Sequence, residues 1–363
     1  MINLFKVNMP PNVDQKLKPI LESGYISEGP VTKEFERQLQ QWLGNPNTAL
    51  VNSGTAALTI AARLAGLGPG TSCIASPMTC LAMPEAIAST GARIIFCDVD
   101  PFTGNLDPNK LEACIESDTK AVLFVDWAGT PANLDAINAI AHKHGLKTIE
   151  DAAHAFGATY KNKKVGNISD FTCFSFQAIK HLTTIDGGAL ACSSKEDYDR
   201  AVLLRWFGCK RGHNSSPIKW EGDVVEYGYK MHMNDVNATV GIESLKTIDS
   251  VINCHRENGL YLWDSIDNPN ISKLDRDPGS AYWLFTIKCK DSAHRAEVSG
   301  KLLVADIANS IVHTRNDSYS LFKDSRKEMP GLDDFGSRML NIPCGWWLTK
   351  DELKYIASTV NNL

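Results

Sequence analysis

Short apolar runs alternate along this chain with longer stretches whose apolar residues recur at helical spacing. Thr48–Val51 reads as a strand and Thr55–Ala65 as the helix after it. Ser72–Ala75 opens the next unit, with a helix near Ala82–Ser89, and Arg93–Cys97 and Ala121–Val125 are strands. A helix at Leu134–His144 and strands at Lys147–Ile149 and Phe171–Phe176 follow. A β-then-α rhythm of this kind predicts an α/β fold, with a mainly parallel sheet flanked by helices. Near residue 245 the pattern changes. Glu243–Asn258 reads as one long helix leading into a smaller α+β domain. The expected division is a large domain over 1–245, opening with an arm and a short helix, and a small C-terminal domain over 246–363.

At 363 residues and 43% hydrophobic content the chain can bury a large core. A formal net charge of −5 argues against nucleic acid or an acidic membrane as a partner, while leaving room for a small anion in a local pocket. Ten cysteines show no C-x-x-C spacing, and Cys73, Cys97, Cys173 and Cys192 lie in apolar runs, so reduced buried thiols are expected and no metal site. The N-terminus MINLFKVNMPPN lacks a long apolar segment, and no run reaches the length of a membrane span, which points to a cytoplasmic protein.

Three segments carry candidate chemistry. In Val51-Asn52-Ser53-Gly54-Thr55 a strand enters a tight turn and a helix begins at once. Unpaired N–H groups and the positive end of the helix dipole make an anion cup there, or simply a Ser-capped helix start. Gly66-Leu67-Gly68-Pro69-Gly70 looks like a dinucleotide loop but follows a helix, so it is read as a helix-terminating loop. Thr148-Ile149-Glu150-Asp151-Ala152-Ala153-His154 ends a buried strand in a carboxylate, which needs donors or a cation such as a protonated pyridine nitrogen; the bland alternative is a helix cap. Phe171–Phe176 delivers Ser175 and then Lys180, and a partly desolvated lysine there would be a nucleophilic amine rather than a surface charge. Gly187-Gly188 permits a reversal into the strand Ala189–Cys192.

Taken in this order, the segments resemble the DegT/DnrJ/EryC1/StrS family of sugar aminotransferases. The stretches that carry the resemblance are SGYISEGPVTKEFE, VNSGTAAL, EDAAHAFGATYKNKKVGNISDFTCFSFQAIKHLTT with DGGAL, and GYKMHMNDVNATVGIESLK. The resemblance implies the fold type I of pyridoxal 5′-phosphate (PLP) enzymes. It also implies transfer of an amino group from an amino acid, with L-glutamate the expected donor, to a nucleotide-linked keto sugar in a two-step ping-pong scheme. Lys180 would be the Schiff-base lysine, Asp151 the partner of the pyridinium nitrogen and His154 a neighbour of the cofactor's 3-oxygen. Gly54, Thr55 and Ser175 would hold the phosphate. Tyr229–His232, with Lys230 foremost, would reach the cofactor of a second protomer and make the protein a homodimer.

Cys80, in Pro77-Met78-Thr79-Cys80, stands where the family often has an aromatic over the cofactor ring, leaving Thr79, Cys80 or Met83 to cover it. Ile185 replaces a common glycine and reads as a tolerated loop change. Trp127, His313 and Arg315 are candidate substrate contacts, each with packing as the bland alternative. A sugar dehydratase, a cyclitol aminotransferase and a non-catalytic binder of PLP or amino sugars are the alternative activities. Some family members carry His in place of the lysine and dehydrate sugars, so the presence of Lys180 favours transamination.

Overall fold

The structure, a computed structural model, describes residues 1–209 and 223–363. In chain order the strands are β1 (Thr48–Val51), β2 (Ser72–Ala75), β3 (Arg93–Phe96), β4 (Thr119–Val125), β5 (Lys147–Asp151), the small hairpin β6 (Thr159–Tyr160) and β7 (Lys163–Lys164), β8 (Phe171–Ser175), β9 (Gly188–Cys192), β10 (Ser272–Lys273), β11 (Phe285–Lys288) and β12 (Met339–Ile342). Seven of them form a sheet in the order β1-β9-β8-β5-β4-β2-β3. Pairing is parallel from β8 through β5, β4 and β2 to β3, and β9 runs antiparallel to both of its neighbours. The three-stranded antiparallel sheet β10-β11-β12 lies toward the C-terminus. The predicted class, a mainly parallel sheet flanked by helices with a smaller α+β part, is the observed one.

The strand centres are apolar on both sides because the sheet is covered on both faces. Leu123 and Val125 belong to the core that also holds the helix Gly54–Leu64, whereas Val122 and Phe124 belong to the core beneath the helix Leu134–Lys143. Helix starts follow their caps: the Ser53 hydroxyl accepts from Ala56 N at 3.0 Å, and Asn133 caps the helix Leu134–Lys143. The Gly66–Gly70 segment ends a helix as expected, with Gly66 at φ +79°.

One element departs from expectation. The single helix read over Glu243–Asn258 is two helices, Asp235–Leu245 and Ile248–Ser265. They break at Thr247 (φ −113°, ψ 2°), whose hydroxyl turns back to the Ser244 carbonyl at 3.4 Å. A β-branched residue that bonds its own backbone gives up little by leaving the helix there.

Sheet direction decides where chemistry collects. β1 is antiparallel to β9 and β9 to β8, so the C-terminal ends of β1, β5 and β8 share one edge. Val51 and Ser175 both sit opposite Gly188, and Asp151 pairs with Cys173 one strand further on. Gly188 is required between them, because a Cβ there would lie 2.6 Å from the Phe174 carbonyl oxygen. The N-terminal arm ends near the same edge. Ile2 bridges Ile307, and Trp347 Nε1 donates to the Asn3 carbonyl at 3.1 Å. No helix among the described residues is long and apolar enough to cross a membrane.

Candidate active site

A cavity of about 510 Å³ opens at this edge, lined by Gly54, Thr55, Asp151, His154, Ser175 and Lys180, with Cys80 and His313 also in its wall. Each of the three segments singled out in the sequence therefore contributes to one space.

The phosphate-cup candidate keeps its donors available. Gly54 and Thr55 are the first residues of a helix, so their N–H groups have no acceptor within it. Glycine is needed at 54, since a Cβ would meet the Ser175 Cβ at 2.9 Å. The Ser175 hydroxyl closes the cup, accepting a long 3.4 Å bond from Gln177 N and keeping its own proton to donate.

Asp151 is 3% exposed and accepts from Ala153 N at 3.1 Å. No helix follows it, so it is not a cap. Burial lifts its carboxyl to about 6, against the pull of the Ala153 N–H and the Lys180 charge. A carboxylate so placed would regain its usual acidity beside a cation. Burial lowers the Lys180 amine to about 8, with Asp151 and Cys80 opposing the change. Its Nζ rests 3.7 Å from the centre of the Trp283 ring, and the Trp283 indole N–H donates to the Ile179 carbonyl at 3.0 Å. His154 stacks on Trp283 at 3.9 Å, and its Nε2 lies 3.4 Å from Nε2 of His313. Burial holds His154 well below the usual imidazole range and His313 down at about 4, so both rings are neutral near pH 7. Nδ1 of His154 is buried without a partner.

Three further expectations fare differently. Trp127 does not line the cavity; it is 1% exposed, bonded to Thr286 Oγ1 at 3.2 Å and packed edge-on behind His154 and His313. Arg315 also lies outside it, held by both oxygens of Asp317 at 2.7 Å and by Asp333. Asp126, at the end of the neighbouring strand β4, is fully buried one strand over, where it accepts from Ala132 N at 2.9 Å, and burial and the nearby Glu150 charge push its carboxyl well up. Of the candidate ring covers, Cys80 reaches the cavity, while Thr79 and Met83 are packed away at 1% and 0% exposure. Lys230 is exposed and absent from the wall of its own protomer's cavity; its carbonyl accepts from Asn52 Nδ2 at 3.5 Å.

Sequence reasoning missed Phe5 and Trp283, which stack at 4.9 Å in the cavity wall. Backbone strain marks their surroundings. Ile185, Tyr282 and Val312 have φ of +73°, +43° and +60°, and each directly precedes a wall residue: Asp186, Trp283 and His313. Bulky residues pay for a left-handed backbone, and strain of this kind concentrates at functional sites. For Ile185 this explains why glycine suits the position better than the sequence suggested. The Trp283 hook is clasped from both sides, Ala281 N donating to the Gly129 carbonyl at 2.9 Å and Leu284 N to the Ala128 carbonyl at 3.3 Å.

Comparison with known proteins follows the same line. Residues 9–361 match the model of the DegT/DnrJ/EryC1/StrS aminotransferase family. The sugar aminotransferase CalS13 of Micromonospora echinospora superposes with a TM-score of 0.95 at 33% identity, over 100% of both chains. A candidate sugar aminotransferase of Streptococcus pneumoniae, solved in a PLP form, gives 0.91 at 26% identity over 99% of this chain and 98% of its own. The UDP-4-amino-4,6-dideoxy-N-acetyl-beta-L-altrosamine transaminase of Campylobacter jejuni is 29% identical over 96% of this chain and 95% of its own length.

Proposed function

The chain belongs to the DegT/DnrJ/EryC1/StrS aminotransferase family, and from that premise we propose that it moves an amino group from L-glutamate to a nucleotide-linked keto sugar, using PLP held in the cavity of Lys180 and Asp151. The observation that carries this reading is the meeting of a desolvated amine, a buried carboxylate and a helix-start anion cup in one cavity. The residues fit the cofactor's parts. Gly54, Thr55 and Ser175 suit its phosphate, Asp151 its ring nitrogen, and the unpartnered Nδ1 or the Nε2 of His154 a polar ring substituent. When bound, PLP supplies an electron sink conjugated to the carbon that loses its proton.

In this reading Lys180 has two tasks. Its amine, neutral in useful amounts near pH 8, would anchor the cofactor, and as a free base Nζ would take the proton from the donor's α-carbon and return one to the acceptor. Asp151, ionised, would hold the ring nitrogen and keep a proton there. The stack of Trp283 and Phe5 excludes water from one side. Both substrates use one cavity, so the keto acid leaves before the keto sugar enters.

Glutamate supplied with a panel of nucleotide-linked keto sugars tests the assignment: one sugar should gain an amine in its product mass. Formation of a dehydrated, amine-free sugar would favour the dehydratase, and no turnover with any member a non-catalytic binder.

Capture of PLP has a diagnostic pH profile. Only the neutral amine attacks an aldehyde, so the capture rate of the cofactor-free chain should rise through about pH 8 and level off above it. Borohydride trapping at intervals reads the rate. A rise that continues past pH 10 would mean that Lys180 is an ordinary solvated lysine.

A homodimer completes the site in this proposal, with Lys230 meeting the partner's cofactor phosphate. Exposed apolar side chains nearby support it, Tyr227 at 62% and Val225 at 86%. Lys230→Ala should weaken PLP binding about tenfold or more, the effect of losing one charged hydrogen bond, while light scattering still reports a dimer. A monomeric wild-type protein that turns over normally would exclude the shared site.

A further inference from the structure

Far from the cavity, at the β3 edge of the sheet, two cysteines and a lysine converge. Cys97 directly follows β3 and is fully buried; Cys114 ends the turn Glu112–Cys114 and is 8% exposed. The Lys327 ammonium donates to Cys114 Sγ at 3.2 Å from the solvent side. The thiol of Cys97 keeps its proton, with the Asp107 carbonyl as an acceptor at 3.9 Å and the Cys114 sulfur as its other neighbour. The charges that face the pair are the Lys327 ammonium and the carboxylates of Asp98 and Asp107, of which only the first favours a thiolate. The neighbouring Cys97 thiol and the Lys327 ammonium outweigh burial and Asp98 and bring Cys114 down to about 6, whereas Cys97 is pushed up. Other buried thiols differ: burial pushes up Cys73, Cys173 and Cys344, with the charges of Asp151 and Glu150 adding to it at Cys173.

We propose that Cys114 is a peroxide-reactive thiol with Cys97 as its resolving partner, a modification site independent of the aminotransferase reaction. The arrangement supplies each part of that chemistry: an anionic sulfur just beneath the surface, an exposed cation that holds it so, and a second thiol beside it. The Cys114 thiolate attacks the distal oxygen of a hydroperoxide, breaking the O–O bond; it becomes a sulfenic acid and an alkoxide or hydroxide leaves, taking up a proton from water. Cys97 sulfur then attacks the sulfenic sulfur, forming the S–S bond, and its proton leaves with the hydroxyl as water. Two electrons pass from the thiol pair to the peroxide.

Iodoacetamide labelling of the full-length protein, read by peptide mass at a series of pH values, tests this. Cys114 should keep half of its maximal labelling rate down to about pH 6, where an ordinary thiol has lost more than nine-tenths of its own. The surface substitution Lys327→Met should move that midpoint up by about one pH unit or more, and Lys327→Arg should restore it. Hydrogen peroxide should join the Cys97 and Cys114 peptides, and Cys97→Ala should leave a dimedone-reactive Cys114 instead. A Cys114 midpoint above pH 8 that ignores residue 327, or peroxide treatment that yields no joined peptide, overturns the proposal.

Discussion

Lys180→Ala is expected to lower turnover with glutamate and the accepted sugar by about a thousandfold or more, and to abolish trapping of a pyridoxyl mass on the chain by borohydride. Two losses combine in that figure. General base catalysis by a positioned side chain is worth about a hundred- to ten-thousandfold, and the covalent anchor that holds the cofactor is removed with it. The proposed phosphate cup of Gly54, Thr55 and Ser175 is untouched, so PLP should still bind, more weakly, by equilibrium dialysis. That separation matters. A variant that binds no PLP has lost its fold or its cup, whereas one that binds PLP without capture has lost the amine. Retained turnover above a tenth of wild type would remove Lys180 from the mechanism. The variant should fold well, because the side chain ends in a cavity and, among the described residues, its ammonium makes no ion pair and rests on the Trp283 ring.

The sequence placed Lys180, Asp151 and Gly54–Thr55 near one another for a reason that is local. Each follows a short apolar strand, and parallel strands put their C-terminal ends on one edge. Residues whose partners lie elsewhere were harder to read. Arg315 was a candidate substrate contact, yet Asp317, two residues on, and Asp333 neutralise it. Trp127 sits at a strand end, but the turn at Ala128 (φ +55°) leaves its ring in the layer behind the cavity, against Phe335. Phe5 and Trp283 meet across most of the chain, and nothing in the mixed apolar and polar arm or in the run Ala-Tyr-Trp-Leu-Phe signals that contact. The left-handed backbone at Tyr282 and Val312 that aims Trp283 and His313 is likewise a product of tertiary clasping, since both residue types avoid it on their own. Strand ends are thus legible from local pattern, while the cavity's aromatic wall depends on contacts between distant segments.

Asp151→Asn is the sharper test of the electrostatics. The amide preserves shape and can still accept from Ala153 N, but it carries no charge to keep a proton on the cofactor's ring nitrogen. Turnover should fall by about a hundred- to a thousandfold, the scale of removing one preorganised electrostatic partner. Capture of PLP by Lys180 should survive, because the amine lies in the same desolvated wall. The pH at which capture levels off should also move. Burial lowers the lysine while the Asp151 charge raises it; deleting that charge leaves burial less opposed, so the plateau should begin below the wild-type position of about pH 8. The two readouts thus move in opposite senses, slower turnover with capture that persists to lower pH. A general loss of folding would depress both. Full turnover in the variant would mean that Asp151 is only a buried turn residue, and that the ring nitrogen finds its proton elsewhere. Asp126 and Glu150 cannot stand in for it, since their carboxyl groups are buried against each other one layer behind the cavity.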